Sequence, residues 1–194
     1  MDFANFLLEK KLLLLGNFVL NSGKVSPYYL DMRSLPSYVY FNDIVNKAVD
    51  VLSTMDFDMT VGVATGGVPL ASFIACRMGK LTGYVRPEKK GHGTNRLVEG
   101  IVEGKQVLVV DDVSTTGGSL VSAVNKVREN GGKVDKALVI VDREEGAKEK
   151  LKEAGVSLVS LFTIQDILES LLSSSKLKEG ERKAIQEYLQ GNLR

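Results

Sequence analysis

Cysteine and histidine are almost absent from this chain: one of each, Cys76 and His92, among 194 residues. A lone cysteine cannot close an internal disulfide. One cysteine and one histidine cannot assemble a structural zinc site either, which takes about four such ligands. The pattern suits a reducing cytoplasm. Net charge is also missing. Lys plus Arg number 25 against 24 Asp plus Glu, leaving +1, so no bulk basic field draws the chain to nucleic acid. No stretch approaches the roughly 18 apolar residues of a membrane span. The apolar opening, MDFANFLLEKKLLLL, is interrupted by Glu9, Lys10 and Lys11, and it reads as an amphipathic helix over 3–15 rather than a signal peptide. There is no GxxxxGK[ST] and no strand followed by GxGxxG, which removes the P-loop and dinucleotide-binding readings. No internal repeat or low-complexity linker is visible.

What is present is an ordinary globular composition, 44% hydrophobic and 25% charged, in a length that suits one domain with a sizeable core. Residues 16–34 carry Gly, Asn, Ser and Pro between short β-type pieces at 18–20 and 28–31. The spacing of Ile44, Val45, Ala48, Val49 and Leu52 predicts a helix over 42–54. From residue 59 the pattern changes to apolar runs alternating with amphipathic helices. Strands are predicted at 59–65, 81–86, 105–112, 134–143 and 156–162. Helices follow the first of these and occupy 114–132 and 144–155, with two more helical segments in 163–194. That alternation indicates βαβ units and an α/β fold, a mostly parallel central sheet flanked by helices. Residues 1–58 break the alternation and are read as an N-terminal hood or cap, 59–162 as the core and 163–194 as C-terminal helices, all in one domain.

Chemistry concentrates in residues 107–119, VLVVDDVSTTGGS. Four apolar residues fill a central strand, which then delivers Asp111 and Asp112 to its carboxyl end, the edge where open α/β sheets bind ligands. Val113 and Ser114 lead into Thr115, Thr116, Gly117, Gly118 and Ser119, directly before a helix. The glycines permit close approach of a ligand. The unpaired amides of the helix start and the hydroxyls of Thr115, Thr116 and Ser119 can donate to phosphate oxygens. Carboxylates repel phosphate, so the acids must face another part of the same ligand. A sugar phosphate meets both demands, with the phosphate in the cradle and the acids on ribose hydroxyls or on a metal bound there. A plain Asp-capped turn is the bland alternative.

Residues 107–119 resemble the phosphoribosyl diphosphate (PRPP) motif of type I phosphoribosyltransferases. In register with the rest of the chain, from about residue 12 to 170, the likeness is to the orotate-using branch of that family. FVLNSGKVSPYYLDMR (18–33) is similar to the branch's Ser-Gly, Ser-Pro-Tyr signature, which helps to enclose the pyrimidine. The resemblance implies orotate contacts from Tyr28 and Tyr29, although the same aromatics also suit a hairpin core. GVATGGVPLA (62–71) resembles the family's diphosphate loop, with Thr65, Gly66 and Gly67 binding through amides. RPEKKGHGTNRLVEG (86–100) is long, polar and Gly-rich, as befits a lid. Its Arg86, Lys90 and His92 match the basic residues of the family's catalytic loop. Arg143, at the end of a strand, matches the arginine that binds the orotate carboxylate, a task suited to its planar fork. Thr115 matches a further pyrimidine contact.

Three departures stand out. Asn21, Gly66 and Pro87 occupy places where many members carry lysine, and Lys24 and Lys89 are the nearest replacements. The resemblance implies transfer of phosphoribosyl from PRPP to orotate, giving orotidine 5′-phosphate and diphosphate in pyrimidine biosynthesis. Lys90, Asp111 and Asp112 would be the catalytic groups, and Mg²⁺ would be held mainly by PRPP rather than by protein ligands. It also implies a homodimer whose lid residues reach the neighbouring site, with no nucleic-acid or membrane partner. The competing readings are a purine-type or other-base phosphoribosyltransferase, and a PRPP-sensing regulator. SGKVSPYY and Arg143 speak against the first. The absence of an added helix-turn-helix or basic stripe speaks against the second.

Overall fold

Long β-branched runs need neighbours on both faces, and helices with one apolar stripe supply them. The computed structural model, which describes residues 2–19, 25–87 and 97–192, resolves this requirement as two compact units. One comprises residues 35–162 and the other residues 1–34 together with 163–194.

The larger unit is built on a six-stranded sheet in the order β5-β4-β3-β6-β7-β8. The strands are β3 Met59–Val63, β4 Leu81–Val85, β5 Val98–Glu99, β6 Gln106–Ser114, β7 Lys133–Asp142 and β8 Ser157–Thr163. β3 pairs in parallel with both β4 and β6, and β6 pairs in parallel with β7. The short β5 is antiparallel to its neighbour β4. The crossovers are α3 Gly67–Met78, α4 Gly118–Glu129 and α5 Ala147–Glu153, and α2 Phe41–Leu52 precedes the sheet. Val61, Val109, Ala137 and Val139 from the strands and Leu120, Val124, Val127 and Leu151 from the helices form one buried cluster. Leu108 and Leu138 are equally buried. The mostly parallel sheet flanked by helices is the predicted architecture.

The smaller unit contains α1 Phe3–Glu9, the antiparallel pair β1 Leu13–Val19 and β2 Val25–Leu30, and the helices α6 Ile164–Leu172 and α7 Glu179–Asn192. Asp2 caps α1, its carboxylate accepting from the Asn5 amide at 2.9 Å, and Thr163 with Asp166 forms a capping box on α6.

Two expectations are corrected here. The helix foreseen over 3–15 stops at Glu9. Lys11 turns left-handed (φ 57°), and after Leu12 the next three leucines enter β1, where Leu13 is buried and Leu14 faces solvent. The cap was foreseen as 1–58 with 163–194 apart. Instead α2 belongs to the sheet unit, because its Ile44, Val45, Ala48 and Leu52 are buried, and the C-terminal helices join residues 1–34. Among the described residues no helix is long and apolar enough to cross a membrane.

Replacing Leu108, 1% exposed at the centre of the sheet, by alanine should cost about 2–5 kcal/mol of stability. Urea unfolding followed by circular dichroism measures it.

Candidate functional site

Two neighbouring parallel strands end side by side, and each feeds a helix through glycines. β3 ends at Val63 and leads through Ala64, Thr65 and Gly66 into α3. β6 ends at Ser114 and leads through Thr115, Thr116 and Gly117 into α4. Neither α3, capped by Gly66, nor α4, capped by Gly117, has a side chain bonded over its first turn. Their leading amides thus point outward at one edge of the sheet, where helix dipoles favour anions. Gly117 is left-handed (φ 76°) and lies against Ala147 at the start of α5. Any larger residue there would be strained and crowded.

The strand carrying the acids runs further than expected. Asp111 and Asp112 lie within β6, as the predicted strand 105–112 has them, and pairing with β7 continues past its predicted end to Ser114 opposite Asp142. A rigid ladder therefore fixes both carboxylates. Asp111 is 8% exposed and accepts from the Asp112 amide at 2.9 Å. Asp112 is less buried and accepts from the Val113 amide at 2.9 Å. Burial first, and the charge of Asp112 second, hold the Asp111 carboxyl well above the ordinary carboxylate range, with the Asp112 amide working in the opposite direction. The pair resists carrying two full charges until a ligand supplies donors or a cation.

Asp111, Val113, Ser114, Thr115, Thr116 and Gly117–Leu120 line a cavity of about 160 Å³. A larger one of about 330 Å³ opens beside it, sharing Gly118 and Ser119 and bounded by Val63, Ala64, Arg86 and Lys126. Residues predicted from two separate motifs, Thr115–Ser119 and the end of β3, thus converge on one edge. The Ala64–Thr65 peptide in the second loop is cis. A β-carbon at Gly66 would fall on the Asp112 carboxylate, and one at Gly67 on the Val110 carbonyl. The loop thus lies so close to the acid pair that a side chain at 66 would have to move Asp112 from its present place.

Arg86 sits at the end of β4. Its amide donates to Leu97 O at 2.8 Å, its Nε to Glu99 at 2.8 Å and its Nη2 to the Tyr84 hydroxyl at 3.1 Å. Lys90 and His92, with Lys89, lie outside the described residues, as do Asn21 and Lys24. Arg143 follows β7. Its amide donates to Ser114 O at 2.9 Å, and its Nη2 lies 2.7 Å from Glu145 Oε1. The guanidinium is mostly buried at the correct sheet edge and already holds a carboxylate, the class of group it was expected to bind.

The tyrosines belong to the smaller unit. Tyr28 is fully buried, edge-to-face with Tyr188 at 5.5 Å between ring centres. It is a core residue here and presents no surface, which is the hairpin-core reading of that side chain. Tyr29 is 43% exposed and stacks obliquely near Phe18.

Three polar groups were missed from sequence. Asp142 is buried and bonded to Ser114. Lys126 donates to the Arg86 carbonyl at 3.2 Å. Its spacing from Ser119 and Ser122, on one face of α4, was the available signal. Lys150 of α5 brings its ammonium beside Gly118, and no motif points to it. Among the described residues no three His, Cys, Asp or Glu side chains gather as a metal site.

Comparison with known proteins agrees with this geometry. The family model described as phosphoribosyl transferase domain matches residues 43–167. Orotate phosphoribosyltransferase of Sulfolobus acidocaldarius is 58% identical over 194 residues, covering 100% of this chain and 98% of that protein. The Sulfurisphaera tokodaii protein of the same name is 57% identical, with 100% of each covered. The crystal structure of orotate phosphoribosyltransferase from Aeropyrum pernix superposes with a TM-score of 0.79 at 43% identity, over 88% of this chain and 98% of that one.

Gly66→Ala should displace Asp112 and raise the half-saturating PRPP concentration about ten-fold or more while the protein stays folded. Initial rates against PRPP, beside a thermal melt, check this.

Proposed function

Since the chain belongs to the phosphoribosyltransferase family, and within it to the orotate phosphoribosyltransferases, we propose that the edge formed by β3, β6 and β7 carries out the transfer with the following division of labour. The carrying observation is the placement of two uncapped helix starts around a buried acid pair on adjacent parallel strands. The amides and hydroxyls of residues 115–119 bind the 5′-phosphate of PRPP. Asp111 and Asp112 accept from the ribose hydroxyls, and their negative field stabilises the sugar as positive charge grows at its anomeric carbon. Residues 65–67 bind the diphosphate through main-chain amides, and Arg86, Lys90 and His92 neutralise it as it leaves. Arg143 exchanges its Glu145 partner for the carboxylate of orotate, with Thr115 alongside.

The bond from the anomeric carbon to diphosphate breaks with its electron pair on oxygen, and the ring nitrogen of orotate forms the new bond. The proton carried by that nitrogen is lost as the bond forms, and the departing diphosphate is the base at hand to take it.

A divalent cation at this edge would be held mainly by PRPP oxygens and water, beside Asp111 and Asp112. Mg²⁺ bound with PRPP would supply charge neutralisation on the diphosphate. This reading takes the working form to be a cytoplasmic homodimer in which lid residues serve the neighbouring subunit. The relatives at more than half identity favour orotate over a purine-type acceptor.

The deciding assay is diphosphate release with Mg²⁺, PRPP and a panel of orotate, adenine, guanine, xanthine and uracil. Release only with orotate is expected, and release with a purine instead would overturn the acceptor assignment. Lys90→Ala should lower kcat at least about ten-fold with little change in orotate affinity, read from steady-state rates. Arg143→Ala should raise the KM for orotate by about ten-fold or more and leave that for PRPP nearly alone. A parallel rise in both constants would make Arg143 structural.

A further inference from the structure

β6 and β7 end on one cross-strand pair, Ser114 opposite Asp142. Beyond that pair the chains diverge: β6 continues into the cradle at Thr115, β7 into Arg143. Both side chains of the pair are buried, Asp142 at 6% exposure and Ser114 at 2%. A buried carboxylate without partners is costly, and Asp142 has two. Its Oδ1 accepts from the Ser114 hydroxyl at 2.8 Å and from the Glu144 amide at 3.1 Å. The main chain closes the loop, with the Arg143 amide donating to the Ser114 carbonyl at 2.9 Å. Glu144, just after the arginine, is left-handed (φ 57°), a conformation non-glycine residues adopt only when surroundings hold them there. The bond from its amide to Asp142 is the local hold, an Asp-centred turn. Arg143 is thereby flanked on both sides by groups that one carboxylate fixes.

We propose that Asp142 is a positioning residue that sets the acceptor-binding arginine against the PRPP cradle. It touches neither substrate. Resting on the roles given above to Arg143 and residues 115–119, it ties those two subsites together through Ser114 on one side and Glu144 on the other. A charged acceptor serves two donors better than a neutral one does, and its bonds are shorter and stronger. The displacement it prevents is small, but misplacing an acceptor relative to the reacting carbon by about 1 Å lowers rates strongly.

The test compares Asp142→Ala, Asp142→Asn and Ser114→Ala in the orotate-dependent diphosphate-release assay, with thermal melts in parallel. Asp142→Ala should raise the orotate KM and lower kcat, each about ten-fold, and leave the PRPP KM within about two-fold of wild type. Asp142→Asn keeps an oxygen acceptor in place and should restore most of the loss. Ser114→Ala removes one of two donors and should fall between. If Asp142→Ala does not fold, the graded order of the other two still decides. Lowered melting temperatures with unchanged kinetic constants would overturn the proposal, as would an equal rise in both KM values. Failure of the underlying reading shows differently, in wild-type protein that releases no diphosphate with orotate. The clamp is then judged by the same ratios for whichever acceptor wild type uses.

Discussion

The carboxylate of Asp112 lies against the main chain at Gly66, and much of the site depends on that contact. It brings the end of β3 close enough to β6 for two anion-binding helix starts to serve one ligand. It also places a negative group between them, which under the proposed function faces the sugar rather than a phosphate. Two facts follow from the same closeness. A side chain at position 66 would occupy the space of the Asp112 carboxylate, which would have to move. Asp111, one residue earlier and more deeply buried, feels its neighbour's charge in a poorly solvated place, which raises its affinity for a proton. The site thus has its acids held in rigid strand and its phosphate donors supplied by backbone. Neither depends on the reach of a long side chain.

Much of this was legible in the sequence, for particular physical reasons. VLVVDD has only one comfortable home, a strand with both faces covered, and TTGGS before an amphipathic helix is hard to satisfy except as an anion cradle. What the pattern hid was the exact end of β6. Ser114 opens a Ser-Thr-Thr-Gly-Gly run that looks like loop by composition, so the strand is predicted to end at Asp112, yet pairing with β7 carries it to Ser114. The leucines at 12–15 misled in the opposite sense, since a short apolar run fits helix and strand equally, and the left-handed turn at Lys11 decided for strand. The hood boundary was drawn where the βα alternation starts. Contacts rather than alternation define a folding unit, and α2 packs with the sheet.

The side chains that escaped notice share a feature. Asp142, Lys126 and Lys150 act through partners distant in sequence, Ser114, the Arg86 carbonyl and the surroundings of Gly118. No local motif encodes such a meeting. Tyr28 is the reverse case: its motif suggested a ligand contact, but its ring fills the interior of its own unit opposite Tyr188. Arg143 sits where its motif put it, and the structure adds the carboxylate of Glu145 as its resting partner. Under the proposed function, substrate would enter by exchanging one carboxylate for another, and the arginine would not be left as a bare charge.

The edge hairpin of the sheet has a consequence of a different kind. β4 and β5 are antiparallel, and the Arg86 amide bonded to Leu97 O closes the pair at its open end. The connection from 87 to 97 therefore leaves and re-enters the sheet at a single point. Lengthening a connection anchored in this way costs only the slowly growing entropy of closing a loop, roughly 0.6 kcal/mol per doubling. Pro87, at the foot of that connection, can therefore stand where the family has a lysine while β4 and β5 pair as before.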